Sequence, residues 1–295
     1  MEPLTAPERV LLHRLAVFAG VFDLEAAGVV ATSPELATYE VADVLSNLVS
    51  KSLVDRNTTG YRLLETIHAF ALEKLVESGE LEVISRRHAE YHQNLFERAE
   101  FEWEARAADE WLAEYGPKID DLRAALDWAF SPAGNPSLGV ALTVAGAPLW
   151  MQLSLLHECR SRVERALSAL DAGASRDRRR EMKLRVALAT STLYTIGRVH
   201  ELGAVWTRAL EIAEELDDRD YQLRSLRGLQ IFYSGSDARK SLEIARTFCL
   251  LAEQQPDKND RLIGDVLVSV SEHFLGDQTS ARAHIERMLA KFLCT

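Results

Sequence analysis

Few side chains in this 295-residue chain combine the type and the spacing that chemistry needs. His88 and His92 stand four residues apart, which places both imidazoles on one face of a helix, a geometry used by metal sites. His88, however, falls on an apolar stripe crowded by Tyr91 and Leu95, and the flanking acids Glu90 and Glu97 complete no recognised ligand pattern. A core or interface histidine is the expectation, with no metal and no other cofactor. Asp120-Asp121 and Asp217-Asp218 are adjacent pairs that point in different directions on a helix, a poor arrangement for acid and base. No G-x-S-x-G, C-x-x-C or G-x-x-x-x-G-K-[ST] occurs, and Cys159 sits at a packing position. No catalytic residue emerges, and the chain is not expected to be an enzyme.

Two further groups invite a binding role. Arg176, Arg178, Arg179 and Arg180, followed by Lys183 and Arg185, form the one basic concentration. A solvated helix start explains it; an electrostatic patch for an acidic partner or nucleic acid is the alternative. The five tryptophans, 103, 111, 128, 150 and 206, lie in helical patterns and mostly read as packing between helices. Trp150 and Trp206 are the candidates for lining a concave partner-binding face, where aromatics act as hot spots.

The elements that must position these residues are nearly all helical. Pro and Gly are scarce, at 8 and 15. Leu11, Leu15 and Phe18 make one stripe of a helix closed by Gly20, and Asp23 caps a short helix through Val30. Ser33-Pro34 interrupts the chain, and Val41, Val44, Leu45 and Leu48 form a third helical face. Two short extended runs, Leu53–Arg56 and Tyr61–Leu63, flank Asn57-Thr58-Thr59-Gly60, the signal of a hairpin. Three helices and a hairpin are the order of a winged helix. Ile67, Phe70, Ala71 and Leu75 begin another helix, and a long one from about Glu80 to Ala105 carries Ile84, His88, Tyr91, Leu95 and Ala99.

The second half repeats. Cys159-x3-Val163-x2-Ala166 recurs from Leu202, from Ser241 and from Ala281, at spacings of 43, 39 and 40 residues. A turn-prone residue precedes each by five: Ser154, Gly197, Ser236 and Gly276. Helix pairs at a period near 40 predict a stacked solenoid, with longer helices or loops than a 34-residue tetratricopeptide repeat. The expected architecture is mainly α, with a winged-helix domain over 1–78, a helical connector over 79–135 and tetratricopeptide-like repeats over 136–295.

The net charge of −11 argues against a large nucleic-acid surface or an anionic-membrane surface. Three distant cysteines and the lack of a signal-like start point to the cytoplasm. The apolar run Leu138 to Trp150 is too short to span a bilayer and reads as a buried helix.

Several motifs in order carry a resemblance. They are Leu11-Leu12-His13-Arg14-Leu15-Ala16-Val17-Phe18-Ala19-Gly20, then Phe22-x-Leu24-Glu25-Ala26-Ala27, Leu45-x-x-Leu48-Val49-x-Lys51-Ser52-Leu53-Val54 and Tyr61–Ile67. Arg87-His88-Ala89-x-Tyr91, Trp111-Leu112 and Asp120–Trp128 continue the series. Across roughly residues 8 to 290 the chain resembles the STAND-class predicted-ATPase regulators, which include bacterial winged-helix transcriptional regulators. The resemblance implies repeats that bind a protein or small-molecule effector and a winged helix that relays this to an NTPase domain.

This chain resembles only the last two parts of such a regulator. The phosphate loop is absent, Leu63-Leu64-Glu65 stands where a nucleotide-sensing Met-His-Asp motif is usual, and Asp120-Asp121 replaces the usual Asp-Asn. Lys291–Thr295 follows a repeat helix without a polar cap, which suggests truncation, and the resemblance implies the carboxy-terminal portion of a larger regulator. Direct DNA binding through Asn47, Lys51, Arg56 and Arg62 is the alternative, set against a third helix carrying Glu40, Asp43 and a single base.

Overall fold

The computed structural model describes residues 4–32, 36–103, 105–173, 177–255 and 258–293. It divides after Leu155 into two compact units.

The first unit opens with α1 (Ala6–Leu15), started by a reciprocal cap in which Thr5 N–H donates to Glu8 and the Thr5 hydroxyl accepts from Glu8 N–H. The expected helix to Gly20 stops at Leu15. Ala16, Val17 and Phe18 donate to His13, Arg14 and Leu15, the tighter i−3 pattern that winds down a helix end. That turn swings Phe18 into the core, where it stacks on Phe22 at 4.8 Å. Asp23 caps α2 (Leu24–Ala31) through Ala26 N–H, and α3 (Thr38–Ser50) buries the four expected residues Val41, Val44, Leu45 and Leu48.

The wing is an antiparallel hairpin of β1 (Val54–Asn57) and β2 (Gly60–Leu63). The Asn57 carboxamide oxygen accepts from Thr59 and Gly60 N–H and shapes the turn. Phe22, just before α2, exchanges two backbone hydrogen bonds with Tyr61, at 3.0 and 2.8 Å, and so adds a third extended segment to the wing. Gly60 permits this approach, since a Cβ there would lie 2.5 Å from the Phe22 carbonyl oxygen.

Beyond the wing come α4 (Glu65–Glu77), α5 (Leu81–Glu102), α6 (Ala108–Tyr115), a single 3₁₀ turn, α7 (Ile119–Ala129) and α8 (Pro136–Gln152). One apolar cluster runs from Leu11 and Leu15 through Leu45 and Leu48 to Ile84 of α5, so the long helix closes the winged-helix core. Arg14, 3% exposed, ties the same parts together through Glu80 and the Ala31 carbonyl. The apolar run 138–150 is the buried helix α8, packed on α5 and α7.

The second unit stacks α9 (Leu156–Ala172), α10 (Arg178–Thr195), α11 (Leu202–Glu215), α12 (Arg219–Tyr233), α13 (Ala238–Ala252), α14 (Lys258–Leu275) and α15 (Gln278–Leu293), each on the next. The repeated positions are the contact positions. Cys159, Val163, Ala166, Leu202, Trp206, Ala209, Ser241, Ala245 and Phe248 are all buried, while Ile285 and Met288 of the last repeat are half-buried. Ser154, Gly197 and Gly276 take positive φ (58°, 100° and 87°), the left-handed conformation that the turn-prone spacing predicts. The extra length over a 34-residue repeat goes into helices: α10 and α14 have 18 residues each.

Serine at 241, where the other repeats carry apolar or small residues, has a physical reason. The Gln230 amide nitrogen lies 3.0–3.2 Å from the Ser241 hydroxyl, the Leu267 carbonyl and the Ser271 hydroxyl, which share its two N–H groups, a buried polar tie across α12, α13 and α14. Gly228 instead makes room, since a Cβ there would fall 2.3 Å from the Trp206 indole.

Gly228→Ala is therefore expected to lower the unfolding free energy by about 1–3 kcal/mol. Gly116→Ala, at helical φ −55° with open space around it, should be neutral within about 0.5 kcal/mol. Urea denaturation of the two variants checks the difference.

Candidate functional site

Residues from three distant stretches of the chain meet inside the first unit. His88 and His92 face inward from α5, Asp121 faces them from α7, and the Ala19-Gly20 backbone closes the third side. All three side chains are 1% exposed. Their candidate ligand atoms lie within 4.8 Å of one another. Asp121 Oδ1 accepts from Ala19 N–H at 2.8 Å and Gly20 N–H at 3.3 Å, and sits 3.3 Å from His88 Nε2. Asp121 Oδ2 is buried with no hydrogen-bond partner. His92 Nδ1 lies 2.8 Å from the His88 carbonyl oxygen. A carbonyl only accepts, so Nδ1 carries the proton and Nε2 the lone pair.

Burial pushes the Asp121 carboxyl up, but the His88 ring, the neighbouring His92 and the Gly20 N–H outweigh it, and it titrates below the ordinary aspartate range. Burial, reinforced by His88, pushes His92 down to about 3, so its ring is neutral near pH 7. Phe18 lies edge-on to both imidazoles, at 5.1 and 6.3 Å. The sequence reading expects a core histidine and does not connect it to Asp121, because 33 residues of chain separate them. Only the inward register of both helices could have hinted at the pairing.

The four residues set aside for DNA are not equally available. Lys51 points back into the domain, its ammonium 2.8 Å from both oxygens of Glu8, which is 3% exposed. The reason is geometric: Lys51 sits at the C-cap of α3, beside the first turn of α1, where Glu8 needs a cation. Asn47, Arg56 and Arg62 are exposed, and the Arg56 guanidinium covers the Tyr61 ring at 5.6 Å. The outward face of α3 presents Asp43, Ser46, Asn47 and Ser50, with Tyr39 82% exposed near its start.

The basic concentration on α10 is matched by acids. Arg178 pairs with Glu181 (3.1 Å), Arg179 with Asp218 (2.8 Å) and Arg180 with Asp177 (3.3 Å). Arg176 lies outside the described residues. The tryptophans proposed for a partner face stand elsewhere: Trp150 is wholly buried and Trp206 is 3% exposed, its indole seated over Gly228. Their bulk fills the space between helices, which removes them from the surface that a hot spot requires. Burial pushes the Cys159 thiol up to about 12, which leaves it unreactive at neutral pH.

A family model described as a winged helix-turn-helix domain matches residues 4–76. Residues 4–76 are a winged helix-turn-helix domain. A Mycobacterium tuberculosis protein named as an HTH-type transcriptional regulator is 37% identical over 175 residues, 52% of this chain and 18% of that protein. The chain thus spans less than a fifth of the length of that relative. BtubC from P. vanneervenii aligns with a TM-score of 0.53 and 18% identity, over 75% of this chain and 90% of its own. Kinesin-light-chain TPR-like repeats from Podosopora anserina align at 0.52 and 14%, over 68% and 92%. These two likenesses concern fold only. The winged helix-turn-helix domain is thus followed by TPR-like helical repeats, in a chain similar to transcriptional regulators. No helix among the described residues is long and apolar enough to cross a membrane.

Removing the Asp121 carboxylate strands two N–H groups of the winged helix-turn-helix domain and one imidazole. Asp121→Ala should cost about 2–5 kcal/mol, while Asp121→Asn keeps an acceptor and should cost less than half as much. The separation of the two denaturation midpoints, at unchanged slope, checks this.

Proposed function

We propose that this chain is the sensing and relay portion of a STAND-type transcriptional regulator acting in the cytoplasm, without enzymatic activity of its own. Its TPR-like repeats take a protein or small-molecule effector. The winged helix passes the effector's presence to an NTPase domain, and the helices between them form the coupling element. The working division is 1–78 for the winged helix, 79–135 for the connector and 136–295 for the repeats, with the first compact unit reaching Leu155.

One observation carries this reading. Lys51, the single base of the third helix, is bound to Glu8 within the domain. Phosphate contacts supply most of the affinity for nucleic acid. A helix whose outward face offers Asp43, Ser46, Asn47 and Ser50 brings no cation to them, while the exposed Tyr39 suits a protein partner. The likeness to a longer transcriptional regulator supports the same reading, because a relay needs a further domain to act upon. The alternative is direct DNA binding, favoured by the exposed Arg56 and Arg62 on the wing.

Fluorescence anisotropy with labelled duplex DNA separates the two. Near 50 mM salt, no saturable binding tighter than about 10 μM is expected. Binding that weakens steeply with salt and is lost in Arg56→Glu/Arg62→Glu would favour the alternative. An NTPase domain of a STAND-type regulator, supplied as a separate polypeptide, should bind the chain. Tyr39→Ala should weaken that binding tenfold or more without lowering the thermal midpoint.

A further inference from the structure

We propose that His88, His92 and Asp121 form a buried binding site for one divalent transition metal ion of the zinc type, which joins α5 and α7 beneath the Ala19-Gly20 loop.

Three observations on different atoms converge. The first is the ligand set: two imidazoles at i and i+4 and a carboxylate on the facing helix, with ligand atoms within 4.8 Å of one another. Bonds of about 2.0–2.2 Å at tetrahedral angles place two ligand atoms about 3.3–3.5 Å apart. His88 Nε2 and Asp121 Oδ1, at 3.3 Å, already have that separation. Closing the third ligand onto the ion requires side-chain movements on the order of 1 Å, within reach of rotations about χ1 and χ2.

The second observation is outer support. A metal-bound histidine ordinarily donates its other ring N–H to a carbonyl or carboxylate, which fixes the tautomer and aims the lone pair. His92 does this, its Nδ1 proton going to the His88 carbonyl at 2.8 Å and its Nε2 remaining as donor to an ion. Asp121 is oriented in the same way by the Ala19 and Gly20 N–H groups.

The third observation is Asp121 Oδ2, a carboxylate oxygen shut away from solvent without a hydrogen-bond partner. Such an atom costs free energy unless something positive meets it. Gly20 makes room for this oxygen, since a Cβ there would stand 3.0 Å from Oδ2. When the ion enters, the neutral His88 ring carries its proton on Nδ1 and binds through the Nε2 lone pair. Asp121 exchanges its contact with the His88 ring for the ion, and a small ligand such as water completes four-coordination. Zinc suits this N₂O set better than calcium or magnesium, which prefer six or more oxygens.

The test uses tag-free full chain, stripped with chelator and titrated with cobalt(II). One equivalent should bind with the intense visible bands of tetrahedral cobalt, without sulfur charge-transfer absorption, and zinc should displace it. Zinc in excess should raise the thermal midpoint by several degrees. His92→Gln should weaken binding at least 100-fold, whereas His273→Gln, on an exposed ring of α14, should leave it unchanged. Circular dichroism of His92→Gln confirms that it is folded. Should it not fold, X-ray absorption of the wild-type zinc complex decides, with two imidazoles and oxygen expected in the shell. The proposal is overturned if stripped wild-type chain binds neither ion, or binds cobalt with only weak octahedral bands. It is equally overturned if His92→Gln binds as the wild type does, or if the zinc shell contains sulfur.

Discussion

A carboxylate with 1% exposure can exist only where its surroundings are arranged around it, and Asp121 imposes that demand on three parts of the first unit at once. It holds two consecutive N–H groups of the loop between α1 and α2, and it stands against the inward face of α5 through His88. The loop must therefore turn at Ala16–Phe18 instead of continuing as helix, and that turn is what carries Phe18 under the imidazoles and Phe22 toward the wing. The apolar cluster reaching Ile84 joins the winged-helix domain to α5, and this charge ties α7 to the same interior.

The second unit depends on a gentler constraint, the repeated meeting of small and large side chains. Ala166, Ala209, Ala245 and Gly228 let helices approach, while Trp206 and Phe248 fill what remains. Where the pattern departs from apolar residues, at Ser241, it does so as part of a satisfied network with Gln230 and Ser271, and every member has partners.

Local periodicity carried most of the architecture. The stripe of Val41, Val44, Leu45 and Leu48, the capping Asp23 and the Asn57–Gly60 turn leave marks within a few residues of one another, and the repeats show by their recurrence near every 40 positions. What was not legible are the pairings made by chain folding over long distances. Lys51 reads as a phosphate contact until Glu8, 43 residues away, is found against it. His88 reads as an apolar-stripe residue until Asp121 faces it. Trp150 and Trp206 read mostly as packing but stay open as a partner face, because a helical period says which residues share a face and not whether that face is covered.

The two backbone hydrogen bonds between Phe22 and Tyr61 have a mechanical consequence. The wing is stitched to the segment that leads out of the Ala19-Gly20 loop, and only Val21 separates that stitch from the Asp121 anchor. A load on the hairpin tip thus has no slack to take up. It must either shear both bonds, at about 1 kcal/mol each, or drag the anchored loop across the histidines. The hairpin behaves as a short, stiff lever whose fulcrum is the buried carboxylate.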